Sequence, residues 1–337
     1  MFPIFKLAAL NLRDRSLVSG AKRVVSAKSF LVHSLTGVWI EDYGMASASG
    51  LFNLVDSDWD SSLLALAGLK PEQLPAVADR SHIAGHVTKE AAAEFGLAQG
   101  AIVVNGTGDG FFASLGSECE TASRISVTLG TSAAARQALP KAVLDISSGT
   151  FCYEARQNQF LLGCAGNNGG NVLDWGRSMF GDVRAETGND IPIFIPLLFG
   201  ERSPGWNPRL TGSWYELTAH QTAIEMARSV VEGVVFNLHW FIEIIQEASR
   251  QPASEIVLSG NGFLNEAAPR ILASVTGLKV LMPAEPGIAS LRGAAACVFQ
   301  ALGREVLPLE TREVLPLPDE RVVSRYQRYK ELRLLPL

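Results

Sequence analysis

The chain has 337 residues, a formal net charge of −5 at pH 7 and 47% hydrophobic residues. This length is typical of two domains, and the apolar content is enough for a sizeable core. Charged residues make up only 19% of the chain, which argues against disorder. The acidic balance, without any basic cluster, argues against a nucleic-acid partner or an anionic membrane surface.

The cellular compartment is indicated by what the sequence lacks. The four cysteines form no CxxC pair, which favours free thiols in a reducing environment over a disulfide framework or a zinc site. No apolar run approaches the roughly 18 residues of a membrane span. The first residues also lack the pattern of a signal peptide. We therefore expect a cytoplasmic protein with no membrane partner.

The N-terminal third of the chain reads as short helices with one strand. Residues 1–40 are predicted to be mostly helical. A further helix is expected to begin at Asp58 and to end at Gly68, and another covers residues 88–95. A strand at residues 102–105 follows.

The remainder of the chain alternates strands and helices. Antiparallel strands are predicted within residues 123–163, and the clearest helix is at 219–249, where apolar residues recur at helical spacing. The other predicted elements are a helix starting near Asn171, a strand at 191–198, a strand from Ile256, a helix ending at Thr276, a strand at 279–282 and an alanine-rich helix at 293–303. This alternation indicates an α/β fold.

The C-terminal tail contains a short repeat. Arg304-Glu-Val-Leu-Pro-Leu309 recurs as Arg312-Glu-Val-Leu-Pro-Leu317. Two copies are too few for a solenoid, so a duplicated linker is expected. The charged residues 319–334 are predicted to form a surface helix.

Three turns rich in glycine or small hydroxyl residues follow predicted strands, and the third of them is Ser259-Gly-Asn-Gly-Phe263. In the first, Asp109 is a single carboxylate among Gly106, Gly108 and Gly110. A carboxylate at a strand-to-helix turn can serve as a general base or hold a metal ion. The second turn, Leu129-Gly-Thr-Ser132, offers amides and hydroxyls without charge, which suits a phosphate. From local sequence alone, ordinary glycine turns remain an equal alternative.

The chain has no GxxxxGK[ST] motif, so it is not a P-loop protein. Its distinctive segments, in chain order, are Asp42-Tyr-Gly-Met-Ala-Ser-Ala-Ser-Gly-Leu-Phe-Asn53, Gly108-Asp-Gly110, Leu129-Gly-Thr-Ser132, Phe151-Cys-Tyr153, Asn167-Asn-Gly-Gly170, Gly200-Glu-Arg-Ser-Pro204, Val231-Glu-Gly-Val-Val-Phe-Asn-Leu238 and Ser259-Gly-Asn-Gly-Phe263. Taken together and in this order, these segments resemble the FGGY family of carbohydrate kinases, and most closely its gluconate kinase branch.

The resemblance implies an actin-like, ribonuclease-H-like ATPase fold with the site between two domains. Residues 1–120 would be the C-terminal part of the family's N-terminal, sugar-binding domain, and residues 121–306 its C-terminal, nucleotide-binding domain. Residues 307–337 would be a linker and a terminal helix. Family members begin with a strand and an Asp-x-Gly-Thr hairpin that this sequence does not match. The expectation is an incomplete first domain plus a full second domain.

The resemblance also implies an ATP-dependent phosphotransferase that uses Mg²⁺ and phosphorylates a hydroxyl of a sugar or sugar acid, with gluconate favoured. Asp109 aligns with the catalytic base. The residues that would bind the nucleotide are Gly130, Thr131 and Ser132 at the phosphates, Gly170 and Asp174 at a helix start, and Asn261, Gly262 and Asn265 at the adenosine. No residue is assigned as a metal ligand.

Several alternatives remain open at this point. The chain could be a catalytically inactive remnant that binds nucleotide or a partner, or one half of a split kinase. A homodimer or a missing N-terminal fragment are the corresponding partner expectations. Asp174 could instead be an acidic residue favoured by a helix N-terminus. Glu201 and Arg202 could orient the active-site loop or form a simple internal ion pair.

Overall fold

A computed structural model of the chain describes residues 2–182, 190–264 and 267–334. The N-terminal part is built from short helices and small two-stranded sheets. Its helices are α1 Pro3–Arg13, α2 Arg15–Ser19, α3 Ala27–Thr36, α4 Tyr43–Ala48, α5 Ser61–Ala67, α6 Lys89–Phe95 and α7 Asp109–Gly116. Its strands are β1 Ile40–Asp42, β2 Phe52–Asn53, β3 Asp58–Trp59, β4 Ala76–Ala78, β5 Ile83–His86 and β6 Ile102–Val104. Strands β1 and β4 pair in parallel, whereas β2 with β3 and β5 with β6 are antiparallel.

The C-terminal part is organised around one large sheet. Its strands are β7 Arg124–Leu129, β8 Ala133–Leu139, β9 Phe151–Arg156, β10 Gln159–Gly166, β11 Ile193–Ile195, β12 Ser213–Tyr215, β13 Glu255–Ser259, β14 Lys279–Pro283 and β15 Thr311–Val314. Its helices are α8 Gly170–Phe180, α9 Ala223–Ser249, α10 Ala267–Thr276, α11 Ala289–Ala301 and α12 Glu320–Arg333. Seven strands form the sheet in the order β15-β14-β13-β7-β8-β10-β9, and β13 is parallel to both of its neighbours.

The long helix α9 organises the main core. It begins at a capping box, in which the Thr222 hydroxyl accepts from the backbone and the Glu225 carboxylate accepts from the Thr222 N–H at 2.9 Å. The face formed by Val234, Leu238 and Phe241 is fully buried against the sheet. A separate, smaller core joins α1, α2 and α5 in the N-terminal part.

Helices α7 and α11 join the two parts of the chain at very close range. A Cβ placed on Gly116 would lie 1.9 Å from the Ala289 carbonyl oxygen, and one on Gly293 would lie 2.0 Å from the Phe112 carbonyl oxygen. Both neighbours are backbone atoms of the facing helix, so neither can move aside without displacing the helix. The two helices can therefore cross this closely only because both positions are glycine.

The mixed α/β character agrees with the sequence prediction, but several element bounds differ. The helix predicted to begin at Asp58 begins at Ser61, after the N-cap Asp60. Asp58 instead belongs to β3, which pairs with β2 in an antiparallel hairpin. A two-residue strand leaves no periodic pattern, and several acidic and serine residues there could equally cap a helix. None of the helices in the described ranges is long and apolar enough to span a bilayer.

The tail differs most from its prediction. The second copy of the repeat supplies β15, which pairs antiparallel with β14, so it is part of the sheet and not a linker. The helix predicted to lie on the surface, α12, buries Val322, Tyr326 and Tyr329 against the main core. Spacings of four and three place these residues on one face, a signal that the many charges obscured. The domain boundaries at residues 120 and 306 stay predictions.

Candidate active site

Asp109 lies where the sequence predicted it, at the turn between β6 and α7. Gly108 is the N-cap of α7, and Asp109 is the first residue of the helix. Its side chain is exposed, and its Oδ1 accepts from the Gly110 N–H at 2.7 Å. The carboxylate thus stands at a helix N-terminus, where negative charge is stabilised and solutes can reach it.

A buried polar network behind this turn holds it in place. Thr107 donates its hydroxyl hydrogen to Asp42 Oδ2, and Asp42 is fully buried. Lys28 Nζ lies 3.0 Å from Asp42 Oδ1, 2.9 Å from Glu41 Oε1 and 2.8 Å from the side-chain oxygen of Asn105. Because buried charges are stable only when paired, this network fixes the backbone on which Asp109 stands.

Replacing Thr107 with valine is expected to lower the free energy of unfolding by about 1–3 kcal/mol, because the buried Asp42 carboxylate loses its hydroxyl donor while the shape is kept. Urea unfolding monitored by circular dichroism measures the change. Thr121→Val is the matched control, since Thr121 is exposed, and should cost no more than about 0.5 kcal/mol. Equal effects of the two variants would refute a supporting role for the network.

The phosphate turn predicted at residues 129–132 is the hairpin between β7 and β8. Thr131 and Ser132 are exposed there. The start of α8 packs onto this hairpin through backbone contacts, with the Gly170 N–H donating to the Gly130 carbonyl oxygen at 2.7 Å. A Cβ on Gly170 would lie 2.5 Å from that same oxygen. The absence of a side chain at Gly170 therefore brings a helix N-terminus against the hairpin.

The third glycine turn reaches the same place from β13. Since β7 and β13 are parallel neighbours, the turns that follow them leave the sheet at the same edge. Gly260 has a φ of +92°, and a Cβ there would lie 2.4 Å from the Leu129 carbonyl oxygen. The Thr128 and Ser259 hydroxyls, 2.8 Å apart, join the two strands just before their turns. Parallel pairing is thus the physical reason that turns far apart in sequence converge.

A cavity of about 1480 Å³ opens beside these turns. Six of the predicted nucleotide residues line it, namely Gly130, Thr131, Gly170, Asp174, Asn261 and Gly262. Ser132 and Asp109 are not among its lining residues, and Asn265 lies outside the described residues. Asp174 is exposed at its rim, where its carboxylate accepts from Arg177 Nη1 at 3.2 Å. Asp174 is the fifth residue of α8 and lies beyond its first turn, which argues against the alternative of an acidic residue favoured by the helix N-terminus.

The sequence prediction missed the opposite wall of the cavity. Residues 317–322, which lead into α12, form part of that wall. Four arginines also line the cavity, namely Arg177, Arg228, Arg270 and Arg321. They come from different elements at widely separated positions, so no sequence spacing connects them.

A further arginine, Arg136, lies near Asp109, with its Nη2 2.9 Å from where a Cβ on Gly110 would be. Arg136 projects from β8, and its Nη1 donates to Thr128 Oγ1 at 3.3 Å. Burial lowers the pKa of the Arg136 guanidinium, and the negative charge of Asp109 opposes that effect. A charge within the otherwise uncharged strand Ala133–Leu139 was the available sequence signal for this residue.

Glu201 does not pair with Arg202, which corrects one of the two alternatives left open by the sequence. Its carboxylate instead binds the buried guanidinium of Arg333 at the end of α12. Burial raises the pKa of Glu201, and the charge of Arg333 partly offsets this. Arg202 lies near Tyr153. Burial raises the pKa of Tyr153, and the charges of Arg202 and Arg136 partly offset this rise.

Comparisons with known proteins agree with this geometry. Residues 1–116 match the model for the FGGY family of carbohydrate kinases, N-terminal domain, and residues 61–302 match the model for the C-terminal domain of that family. The gluconokinase of Bacillus subtilis (strain 168) is 30% identical over 325 residues, which cover 90% of this chain and 63% of the relative. The xylulose kinase of Escherichia coli (strain K12) is 27% identical over 357 residues, covering 98% of this chain and 73% of the relative.

A solved structure gives the same result for the fold. The gluconate kinase from Lactobacillus acidophilus superposes with a TM-score of 0.87 at 28% identity, over 98% of this chain and 71% of the other. The chain spans 63% of the length of the curated gluconokinases that it matches. The predicted α/β fold of the actin-like ATPase type is confirmed, and the chain belongs to the FGGY family of carbohydrate kinases.

Proposed function

We propose that this chain carries the nucleotide site and the catalytic base of an ATP-dependent carbohydrate kinase, which transfers the γ-phosphoryl group of ATP to a hydroxyl of a sugar or sugar acid. The observation that carries the proposal is the convergence of the hairpin 129–132, the start of α8 and the turn after β13 around one cavity of about 1480 Å³. A cavity of this size is large enough for a triphosphate nucleotide.

The chemistry assigns a limited task to each part of the chain. Asp109, exposed at the start of α7, accepts the proton of the attacking hydroxyl as the phosphoryl group arrives. The hairpin receives the phosphates beside Gly130, where a Cβ would meet no atom within 4 Å, and next to the exposed side chain of Thr131. Positioning and charge neutralisation supply most of the rate in this reaction class, so the chain needs no covalent intermediate.

The residues present fit ATP and leave Mg²⁺ to be held mainly by the nucleotide. A Cβ on Gly130 would meet no atom within 4 Å, so phosphates can reach the backbone of the hairpin there, whereas Gly170 and Gly260 let α8 and the turn after β13 pack against the hairpin. Within the described part of the chain, no group of three or more His, Cys, Asp and Glu residues could hold a metal ion. Mg²⁺ commonly binds through substrate phosphates, waters and one or two carboxylates, which this site allows. When bound, the ion would neutralise phosphate charge.

D-gluconate is the proposed acceptor. The Gly108-Asp109-Gly110 sequence resembles gluconate kinases, and relatives named gluconokinase and xylulose kinase are similar to this chain at 30% and 27% identity. A coupled ADP-release assay with D-gluconate, D-xylulose and glycerol tests the proposal. Faster turnover with D-gluconate supports it. Faster turnover with D-xylulose would assign D-xylulose as the acceptor instead. Absence of turnover by folded protein would favour a nucleotide-binding remnant or half of a split enzyme.

Gly170→Ala is expected to weaken ADP binding by roughly tenfold or more, which corresponds to about 1.4 kcal/mol. The added methyl group would meet the Gly130 carbonyl oxygen at 2.5 Å and push the start of α8 away from the hairpin. Isothermal titration calorimetry gives the dissociation constant. Ser178→Ala, an exposed position of the same helix, is the control and should bind ADP as wild type. Unchanged ADP affinity in Gly170→Ala would place the phosphates elsewhere.

A further inference from the structure

Arg136 lies between the two places that the proposed reaction must bring together. On one side, its Nη1 donates to Thr128 Oγ1, at the end of β7 just before the hairpin 129–132. On the other, its Nη2 lies 2.9 Å from where a Cβ on Gly110 would be, in the first turn of α7 directly after Asp109. The guanidinium therefore bridges the hairpin that would hold the nucleotide phosphates and the helix that carries the proposed base.

This guanidinium is not neutralised by an ion pair. Among the described residues, no carboxylate oxygen lies within 4.0 Å of the nitrogens of Arg136 or of Arg202, although the chain forms many other ion pairs. Arginine stays protonated in proteins, and a partly buried charge without a partner costs free energy. An unpaired guanidinium of this kind is expected at a site where its anionic partner is present only during the reaction.

The neighbours of Arg136 favour a multiply charged anion. Arg202 and Tyr153 lie close enough to Arg136 for their charges to interact. Gly110 leaves room for the guanidinium, because a Cβ there would lie 2.9 Å from Arg136 Nη2. Arg136 therefore lies directly against the first turn of α7, next to Asp109. A guanidinium beside the proposed general base matches the charge spread over the three oxygens of a phosphoryl group in transit.

We propose that Arg136 is a catalytic residue that donates hydrogen bonds to the phosphoryl group while it moves between the hairpin 129–132 and Asp109. The proposal rests on the proposed kinase function. A bond forms between the acceptor oxygen and the γ-phosphorus, and the bond from that phosphorus to the β–γ bridging oxygen breaks. The electron pair leaves with ADP, the acceptor proton goes to Asp109, and Arg136 is unchanged.

The test compares Arg136→Met and Arg136→Lys with wild type. The expected result for Arg136→Met is a fall in kcat of about 10²-fold or more with D-gluconate and equally with neutral acceptors, since the phosphoryl group is common to all. Arg136→Lys should recover part of the rate. The dissociation constant of ADP should stay within about twofold, because the interaction forms mainly in the transition state. Arg312→Met, at an exposed arginine of β15, is the control for loss of an arginine from the sheet.

A second readout does not need turnover. Binding of ADP with aluminium fluoride, a mimic of the phosphoryl group in transit, should weaken at least about tenfold in Arg136→Met while ADP alone does not. Equal binding of the mimic by both proteins would overturn the proposal. A kcat loss confined to D-gluconate would also overturn it and assign Arg136 to the acceptor's carboxylate. Absence of turnover in wild type would refute the kinase function alone, since the mimic still decides the role of Arg136.

Discussion

Asp109→Asn is expected to lower kcat by about 10³-fold or more, at the upper end of what removal of a general base costs. The amide has nearly the same shape but cannot accept the proton of the acceptor hydroxyl. The side chain is exposed, and its one hydrogen bond within the described residues is from the Gly110 N–H, so the fold should tolerate the change. Because Asp109 does not line the nucleotide cavity, the dissociation constant of ADP should stay within about twofold.

The measurement is the steady-state rate of ADP release with saturating ATP and D-gluconate, together with calorimetric titration of ADP. Asp56→Asn removes a carboxylate at another exposed position and is the matched control. A kcat within tenfold of wild type would show that the proton has another acceptor. A parallel loss of ADP affinity would instead assign Asp109 to nucleotide binding.

Gly293→Val is expected to lower the free energy of unfolding by about 3 kcal/mol, at the upper end of the usual cost of overpacking. The new Cβ would lie 2.0 Å from the Phe112 carbonyl oxygen on α7. A backbone oxygen in the middle of a packed helix cannot give way as a flexible side chain can. The two helices must therefore separate, and α7 carries Asp109 at its start.

Urea unfolding provides the measurement, and Ala295→Val the comparison. Ala295 is an exposed position of the same helix. Its valine variant should therefore lower the free energy of unfolding by only about 0.5 kcal/mol, because valine has a weaker helix propensity than alanine. If Gly293→Val were as stable as Ala295→Val, the crossing of α7 and α11 would be looser than described. Loss of kinase activity at full stability would then indicate a shift of Asp109 alone.

The local parts of the site were predictable from sequence because their signals are local. A strand followed by Gly106, Gly108 and Gly110 indicates a strand-to-helix turn, and Asp109 is found at that turn. The hairpin at 129–132 and the helix starting at Gly170 were readable in the same way. Their convergence was not, because it follows from the parallel pairing of β7 with β13. The resemblance to a family supplied that arrangement, and composition alone did not.

The missed parts depend on contacts between distant residues. The prediction treated the repeat as a linker because two identical proline-containing copies look like spacers, yet only the second pairs with β14. The sequence analysis did not single out Arg136, because its position beside Gly110 depends on how β8 faces α7. Neither relation leaves a periodic signal in the sequence.

The docking of α12 makes the nucleotide site and the C-terminal segment one thermodynamic unit. Glu232, buried in α9, binds Arg228 of the cavity wall at 2.8 Å and Arg325 of α12 in two contacts of 2.7 Å. Any ligand that binds only when residues 317–322 complete the wall must also stabilise the docked helix, by reciprocity of coupled equilibria. A change that weakens the docking of α12 must then weaken the binding of that ligand by the same coupling free energy, even when the change lies far from the phosphates.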